Sequence, residues 1–233
     1  MIELLQFPRG TGLMNLSPFC MKAEVFMRLS GIEHRCINDA TPLRTPKGKL
    51  PVLRDDGRVV ADSAAIVAYL QQRYAAQMPA ALAAPETPTQ LALRRLLEEH
   101  LYFAMLWLRW VDAAGWAFTG PAFFGAMPAG VRHIVPPLIR RKMRRDLHGQ
   151  GMGRHSRDEI CARGVADIDT LAGALGEQPF YGGAQPAAID AVAYAFLANI
   201  IWVPLANPVQ ARVLAQPALL AYCERMKARV GAE

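Results

Sequence analysis

The eighteen residues from Pro46 to Ser63, PKGKLPVLRDDGRVVADS, constrain the fold more tightly than any other stretch of the chain. Leu50-Pro51 opens a short apolar run, Val52-Leu53, then a charged turn from Arg54 to Arg58 returns as Val59, Val60 and Ala61. Asp-Gly tolerates the positive φ that a tight turn demands, so Asp55-Asp56-Gly57 joins two short strands into a hairpin. Behind it, Ala64 to Tyr74 carries Ile66, Val67, Leu70 and Tyr74 at helical spacing, and Asp62-Ser63 stand where that helix starts. A proline is thus set at the mouth of one strand and a serine at the head of the next helix.

Two readings of this arrangement are open. If Leu50-Pro51 is cis, the backbone of Leu50 turns outward and pairs with an extended peptide-like ligand as an added strand would. The free N–H groups and hydroxyl at Ser63 then hold a carboxylate. Alternatively, a trans proline opens an ordinary edge strand and Ser63 is a plain N-cap.

Upstream, Ile2 to Phe7 is short and apolar, a buried first strand, and Pro8 to Leu16 is a loop containing Gly10, Gly12 and Asn15. Ser17-Pro18-Phe19-Cys20 opens a helix with Ser17 as N-cap and Pro18 at its first position. Met21, Val25 and Leu29 recur every four residues up to Gly31, a C-terminal cap. Glu33 to Ile37 is a second strand, and Asp39 to Thr45 is irregular or at most a short helix. The order strand, helix, strand, connector, strand, strand, helix gives a mixed sheet, because a right-handed crossover makes the first two strands parallel while the hairpin adds an antiparallel pair. Ser17, Pro51 and Ser63 fit one edge of it, where ligands of open α/β sheets lie.

Ala75 to Glu86, rich in Ala and Pro, reads as a linker. Thr87-Pro88-Thr89-Gln90 is a capping box, opening a helix towards Ala113 whose apolar face is Leu93, Leu96, Leu97, Leu101, Ala104, Met105 and Leu108. His100 in it reads as packed rather than a ligand, since no partner is spaced to join it. From Gly115 to Gly153, glycines and prolines interrupt the helical pattern. Trp116, Phe118, Phe123 and Phe124 there either fill the core or line a pocket for an apolar co-substrate. Ser156-Arg157-Asp158-Glu159 is a second capping box whose helix ends near Gly176, and Ala187 to Val203 and Pro217 to Val230 are further helices. Residues 87–233 are therefore all-helical.

At 233 residues, 52% hydrophobic and 20% charged, the chain buries a sizeable core in one large domain or two small ones and is not disordered. Cys20, Cys36, Cys161 and Cys223 are scattered, which argues against a disulfide framework and a metal site. No apolar run has the length of a membrane span, and MIELLQFPRG lacks the pattern of a secretion signal, so a soluble cytoplasmic protein is expected. Much of the net charge of +6 sits in Arg140, Arg141, Lys142, Arg144 and Arg145. Without interleaved aromatics or a nucleic-acid-binding motif, that run is a solvated helix face or a surface for an acidic partner or anionic lipid headgroups, and no nucleic acid is expected as a partner.

Three pieces in this order resemble the cytosolic glutathione transferase superfamily: Ser17-Pro18-Phe19-Cys20, Pro46-x-Gly48-Lys49-Leu50-Pro51-Val52-Leu53, and Ala61-Asp62-Ser63 before Ala64 and Ile66. The resemblance implies an α/β thioredoxin-like domain with a mixed four-stranded sheet at residues 1–76, followed by an all-α domain at 87–233. It also implies a cis Pro51, Leu50 pairing its backbone with the cysteinyl unit of glutathione, Asp62 and Ser63 holding the γ-glutamyl end, and Lys49 meeting the glycyl carboxylate. Glutathione is then a co-substrate transferred to a small electrophile, and the superfamily implies a homodimer.

Ser17 takes the position of the superfamily's catalytic Ser, Cys or Tyr. A hydroxyl at a helix N-terminus donates to a thiolate, and the helix dipole favours the anion; the alternative is that Ser17 only caps the helix. Cys20 competes as a thiol-transfer nucleophile, but this SxxC lacks the first cysteine of a redox CxxC, and its alternative is a small buried hydrophobe. The loop from Gly10 to Leu16 and the segment Gly151-Met152-Gly153-Arg154-His155-Ser156 look more specifically like the failed-axon-connections and metaxin-like branch. That branch offers the second function, a catalytically weak binding or adaptor protein. In the superfamily a Ser or Thr caps the buried helix of the second domain three residues before an Asp; Ala187 stands at that place before Asp190, forgoing about 1 kcal/mol of a typical cap.

Overall fold

Four short strands form the sheet because each has apolar residues that the flanking helices cover. The computed structural model describes residues 1–10 and 12–231. Strand β1 (Ile2–Leu5) pairs parallel with β2 (His34–Ile37), helix α1 (Pro18–Leu29) making the crossover, and antiparallel with β3 (Val52–Asp55). Strand β3 pairs antiparallel with β4 (Arg58–Ala61), and the order across the sheet is β2-β1-β3-β4. The hairpin turns on Asp56 and Gly57, whose φ values of 43° and 83° are those of a two-residue turn requiring a left-handed backbone twice. The expected mixed sheet is present, with strand ends moved by a residue or two.

Helix α2 (Ser63–Tyr74) lies on the sheet and is pinned to β3 through Tyr69 and Tyr74, whose hydroxyls donate to Asp55 Oδ2 at 2.8 and 2.6 Å. Asp62, not Ser63, is its N-cap: Oδ1 accepts from the N–H groups of Ala64 and Ala65 at 2.9 and 3.2 Å. The supposed linker from Ala75 to Glu86 is folded. It holds a 3₁₀ turn (Ala75–Gln77) and the one-turn helix α3 (Ala80–Ala83), with Met78 and Leu82 buried and Gln71 Nε2 donating to Leu82 O at 2.7 Å.

Both capping boxes form. Thr87 opens α4 (Pro88–Arg95), which widens into a π turn (Leu96–Leu101) and continues as α5 (Tyr102–Trp110). His100 has a partner after all, 67 residues away: its Nδ1 lies 2.7 Å from Oδ2 of the buried Asp167. Beyond a sharp turn, α6 (Ala113–Phe124) folds back so closely that a Cβ on Gly115 would lie 1.7 Å from the Leu108 carbonyl oxygen. Helices α7 (Ala129–Arg132) and α8 (Val135–Gln150) follow, making 115–153 more helical than its prolines suggest: Pro136 lies in the first turn of α8, where the missing N–H is tolerated. Arg140 is not part of a solvated face. Its guanidinium donates to the carbonyls of Trp110 and Val111, both at 2.9 Å, and covers the Trp116 ring.

The remaining helices are α9 (Arg157–Leu175), α10 (Ala188–Ile201), α11 (Pro208–Leu214) and α12 (Pro217–Val230). Helix α10 is the centre of the molecule: every residue from Ala188 to Ile200 is buried, and it packs on α1, α4, α11 and α12. Its apolar circumference has no solvated side, so one large-to-small change such as Phe196→Ala would cost about 3–5 kcal/mol. Asp190 supplies the reciprocal half of a capping box, accepting from the N–H groups of Tyr181, Gly182 and Ala187 at 2.8, 2.9 and 2.9 Å, while the cap hydroxyl itself is absent. Burial nonetheless holds its carboxyl above the usual range.

Candidate functional site

The sheet register decides what meets what. Leu5 at the end of β1 faces Val52 at the start of β3, and Val52 faces Ala61 at the end of β4. The loop leading to Ser17, the Leu50-Pro51 step and the Asp62-Ser63 step therefore leave the sheet at one edge, and the Asp62 N–H reaches the Pro51 carbonyl at 3.4 Å. Helix α1 starts over the same edge, since Cys20 packs with Leu5, Leu50 and Val52. Three segments far apart in the chain thus converge.

Leu50-Pro51 is cis, and the backbone of Leu50 makes no hydrogen bond among the described residues. Asp62 has φ of 96°, a conformation that side chains with a Cβ rarely adopt and that is concentrated at functional sites. Only its Oδ1 caps α2, and Oδ2 of this exposed residue makes no hydrogen bond among the described residues. Ser63 is 5% exposed, yet neither its N–H nor its hydroxyl has a hydrogen-bond partner among the described residues. The Ser63 hydroxyl is not among the fully buried oxygens left without a partner, so it opens to solvent at this edge. The exposed Lys49 precedes Leu50, with its carbonyl accepting from Thr45 Oγ1 at 2.9 Å.

Ser17 is the N-cap of α1 and half-buried; its Oγ accepts from Cys20 N at 3.4 Å, a long cap. Cys20 is fully buried, and burial pushes its thiol up to about 12 against smaller opposing effects from the Phe7 backbone and Ser17. A protonated, inaccessible sulfur is a poor nucleophile, so the geometry favours the packing role for Cys20.

A network that sequence reasoning missed holds the Ser17 loop. Asn15 is buried, donating through Nδ2 to the Phe7 carbonyl at 2.7 Å and accepting at Oδ1 from Ser17 N at 3.0 Å. Its own carbonyl accepts from Asn199 Nδ2 at 3.1 Å. Arg109 donates through Nη1 to Leu16 O at 2.8 Å and through Nη2 to Asn199 O and Oδ1 at 2.6 and 3.0 Å. Arg109 is buried without a carboxylate partner among the described residues, and burial lowers it to about 10. The signal was present: Arg109 and Asn199 are polar residues in otherwise apolar helical stretches, and a polar residue kept in such company has partners inside. A second buried link joins the two halves, Lys22 Nζ to Glu98 Oε1 at 2.5 Å, with Arg94 bridging Glu98 and Glu86.

Beside this edge, Phe7 makes an edge-to-face contact with Phe123, which packs with Trp110 and Phe124. Phe7 and Phe123 are only half-buried, so the aromatic cluster serves the core at one end and offers an apolar wall at the other. Phe118 instead packs against the main core. A concavity of about 360 Å³ lies at the opposite end of the sheet, against Met1, Glu3 and the Asp56-Gly57 turn, away from these groups. Among the described residues no cluster of side chains has the makings of a metal site, and no helix is long and apolar enough to cross a membrane.

Comparison with known proteins identifies the family of the chain. The glutathione S-transferase N-terminal domain profile matches residues 18–115, and the C-terminal domain profile matches residues 164–226. The isoprene-epoxide–glutathione S-transferase of Rhodococcus sp. (strain AD45) is 32% identical over 97% of this chain and 98% of its own length. The chain belongs to the glutathione S-transferase family. Failed axon connections of Drosophila melanogaster is 29% identical over 97% of this chain, which spans only 57% of that protein. Among solved structures, a glutathione S-transferase of Ceriporiopsis subvermispora in complex with glutathione superposes with a TM-score of 0.68 at 17% identity, covering 100% of this chain and 98% of that one. In keeping with this family, the chain has the expected architecture of a mixed four-stranded sheet followed by helices.

Proposed function

We propose that the protein binds glutathione along the Ser17, Leu50-Pro51 and Asp62-Ser63 edge and transfers it to a small electrophile. The free backbone of Leu50 pairs with the cysteinyl unit, the Ser63 N–H and hydroxyl take the γ-glutamyl carboxylate, and Asp62 Oδ2 takes its ammonium. Lys49 is placed for the glycyl carboxylate. The Ser17 hydroxyl donates to the sulfur, lowering the thiol pKa so that the thiolate is populated near neutrality. The thiol proton leaves to solvent, sulfur forms its bond to an electrophilic carbon, the bond from that carbon to its leaving atom breaks, and that atom takes a proton from solvent. The half-buried rings of Phe7 and Phe123 offer the electrophile its apolar wall. A division into a glutathione-binding unit at 1–76 and a helical unit at 87–233, a homodimer and a cytoplasmic location belong to the same proposal.

One observation carries this reading: among the described residues the Ser63 N–H and hydroxyl have no partner, at a residue only 5% exposed, beside a Leu50 backbone that has none either. Calorimetric titration with glutathione tests it, with Ser63→Ala weakening affinity roughly tenfold through one lost charge-assisted bond. A relative is named for an epoxide, so a small epoxide is the first electrophile to try, ring opening being read as thioether formation. No heat at millimolar glutathione refutes the binding site. The second reading, a binding or adaptor protein, is supported by the 29% identity to Failed axon connections; it predicts no thioether from any electrophile tried, whether or not glutathione binds.

A further inference from the structure

We infer that the α7–α8 end of the molecule docks on an anionic lipid surface. The twenty residues from Val131 to Gln150 contain six Lys and Arg against one Asp, which leaves twenty Lys and Arg against nineteen Asp and Glu in the rest of the chain. The positive charge is therefore local, a directed field rather than a general property of the surface.

Contacts fix which way α8 faces. Pro136 and Leu147 are buried and the Arg140 guanidinium is tied to the Trp110 and Val111 carbonyls, so that side of the helix looks inward. At 100° per residue the opposite side carries Ile134, Leu138, Arg141 and Arg145. Ile134 and Leu138 are 61% and 60% exposed, and Val131 on α7 adds a third aliphatic side chain at 43%. Arg141, Arg144 and Arg145 are exposed and have no ion pair or hydrogen bond among the described residues, whereas Lys142 is paired with Asp146. The outward face is thus apolar at its N-terminal end and cationic beyond it.

This sequence of chemistry matches a leaflet in depth. From Ile134 to Arg141 the helix rises roughly 10 Å, the distance between side chains sunk at the acyl boundary and cations at the phosphates. The surface has charge complementary to anionic headgroups, and long Arg side chains reach up from an inserted tip. An acidic protein partner would use the arginines but has no use for three exposed aliphatic side chains beside them. The inference does not rest on glutathione transfer, since none of these residues belongs to the Ser17 edge.

Co-sedimentation of the full chain with phosphatidylcholine vesicles, with and without phosphatidylserine, tests it. Binding is expected only with phosphatidylserine and is expected to weaken as salt rises. Arg141→Gln with Arg145→Gln should lower the partition about thirtyfold, the two charges each contributing about fivefold. Ile134→Ser with Leu138→Ser should keep capture at low salt and lose retention at high salt. All four residues are exposed, and circular dichroism checks that the variants fold. Equal recovery with and without phosphatidylserine, or unchanged binding by the arginine variant, overturns the inference. So does binding to soluble polyglutamate that matches vesicle binding and ignores the serine substitutions, an outcome that would assign the face to an acidic macromolecule.

Discussion

Replacing Ser17 by alanine removes two things that can be separated by measurement. The first is a helix cap. Its bond from Cys20 N is 3.4 Å long, so its loss belongs at the lower end of the range for caps, about 0.5–1 kcal/mol. In a chain of this size that lowers Tm by about 1–4 °C. Helix α1 stays in place, because Lys22 is held by Glu98 and Glu24 receives Gln6, Arg9 and Arg28. The second loss, under the proposed function, is a donor to a thiolate, worth about 1.5–3 kcal/mol for a hydrogen bond to a charged group. At 1.36 kcal/mol per pKa unit, the bound thiol rises by about one to two units. At pH 7, kcat/KM should then fall about 10- to 100-fold while glutathione affinity changes little. The pH dependence of kcat/KM is the decisive assay. In Ser17→Ala the limb reporting thiol ionisation should move to higher pH and the rate should recover in alkali, where the thiolate forms unaided. Ser17→Thr, keeping a hydroxyl and a cap, should behave like the parent. A lowered Tm with an unmoved pH profile would reduce Ser17 to a cap and refute the chemical role.

Three further outcomes can be checked. Arg109→Leu strands the Leu16 and Asn199 carbonyls and should cost about 2–4 kcal/mol in denaturant unfolding, with Arg109→Lys unable to rescue because a point charge cannot span both acceptors; a loss below about 0.5 kcal/mol would mean that the network relaxes freely. Ala187→Ser supplies the missing cap of α10 and should raise stability by about 0.5–1 kcal/mol, read as a higher Tm; a lower Tm would show that the crowded Gly182 backbone excludes the hydroxyl. Burial opposes ionisation of Glu24, but Gln6, Arg9 and Arg28 outweigh it and hold the carboxyl below its ordinary value. Its contribution is therefore fully present above the unfolded glutamate pKa and is lost as pH falls through the lower folded one, so Glu24→Gln should flatten the acid side of the stability curve and an equally steep curve would count against it.

The site edge was legible because its signals are local. Capping and turn chemistry at Ser17-Pro18, Asp56-Gly57, Thr87 and Ser156 depends on residues within a few positions of one another, and each formed as read. The assignment between Asp62 and Ser63 went the other way because Asp62 takes a positive φ that no spacing rule would grant it. What was illegible is tertiary. Ala75 to Glu86 has no periodicity long enough to announce a helix, and it is ordered by burying Met78 and Leu82 and by Gln71 reaching across. His100 finds Asp167 on another helix. Helix α11 was missed although Asn207-Pro208 and Gln210 mark its start, since seven residues are too few for a pattern. The Arg109–Asn199–Asn15 network needed only the question of why polar residues interrupt apolar stripes, but its partners lie 90 residues or more apart.

The fate of the protein's own sulfur has a consequence of its own. Cys20, Cys161 and Cys223 are buried, Cys36 is half-covered, and burial raises all four thiols, Cys36 to about 11. A catalyst that handles alkylating molecules through a borrowed thiol is endangered by any reactive thiol it owns. Under the proposed function the site presents the Ser17 oxygen to its reagents, while three of the four thiols are buried and burial disfavours the thiolate at all four, so the chain would meet electrophiles repeatedly with little risk of becoming their target.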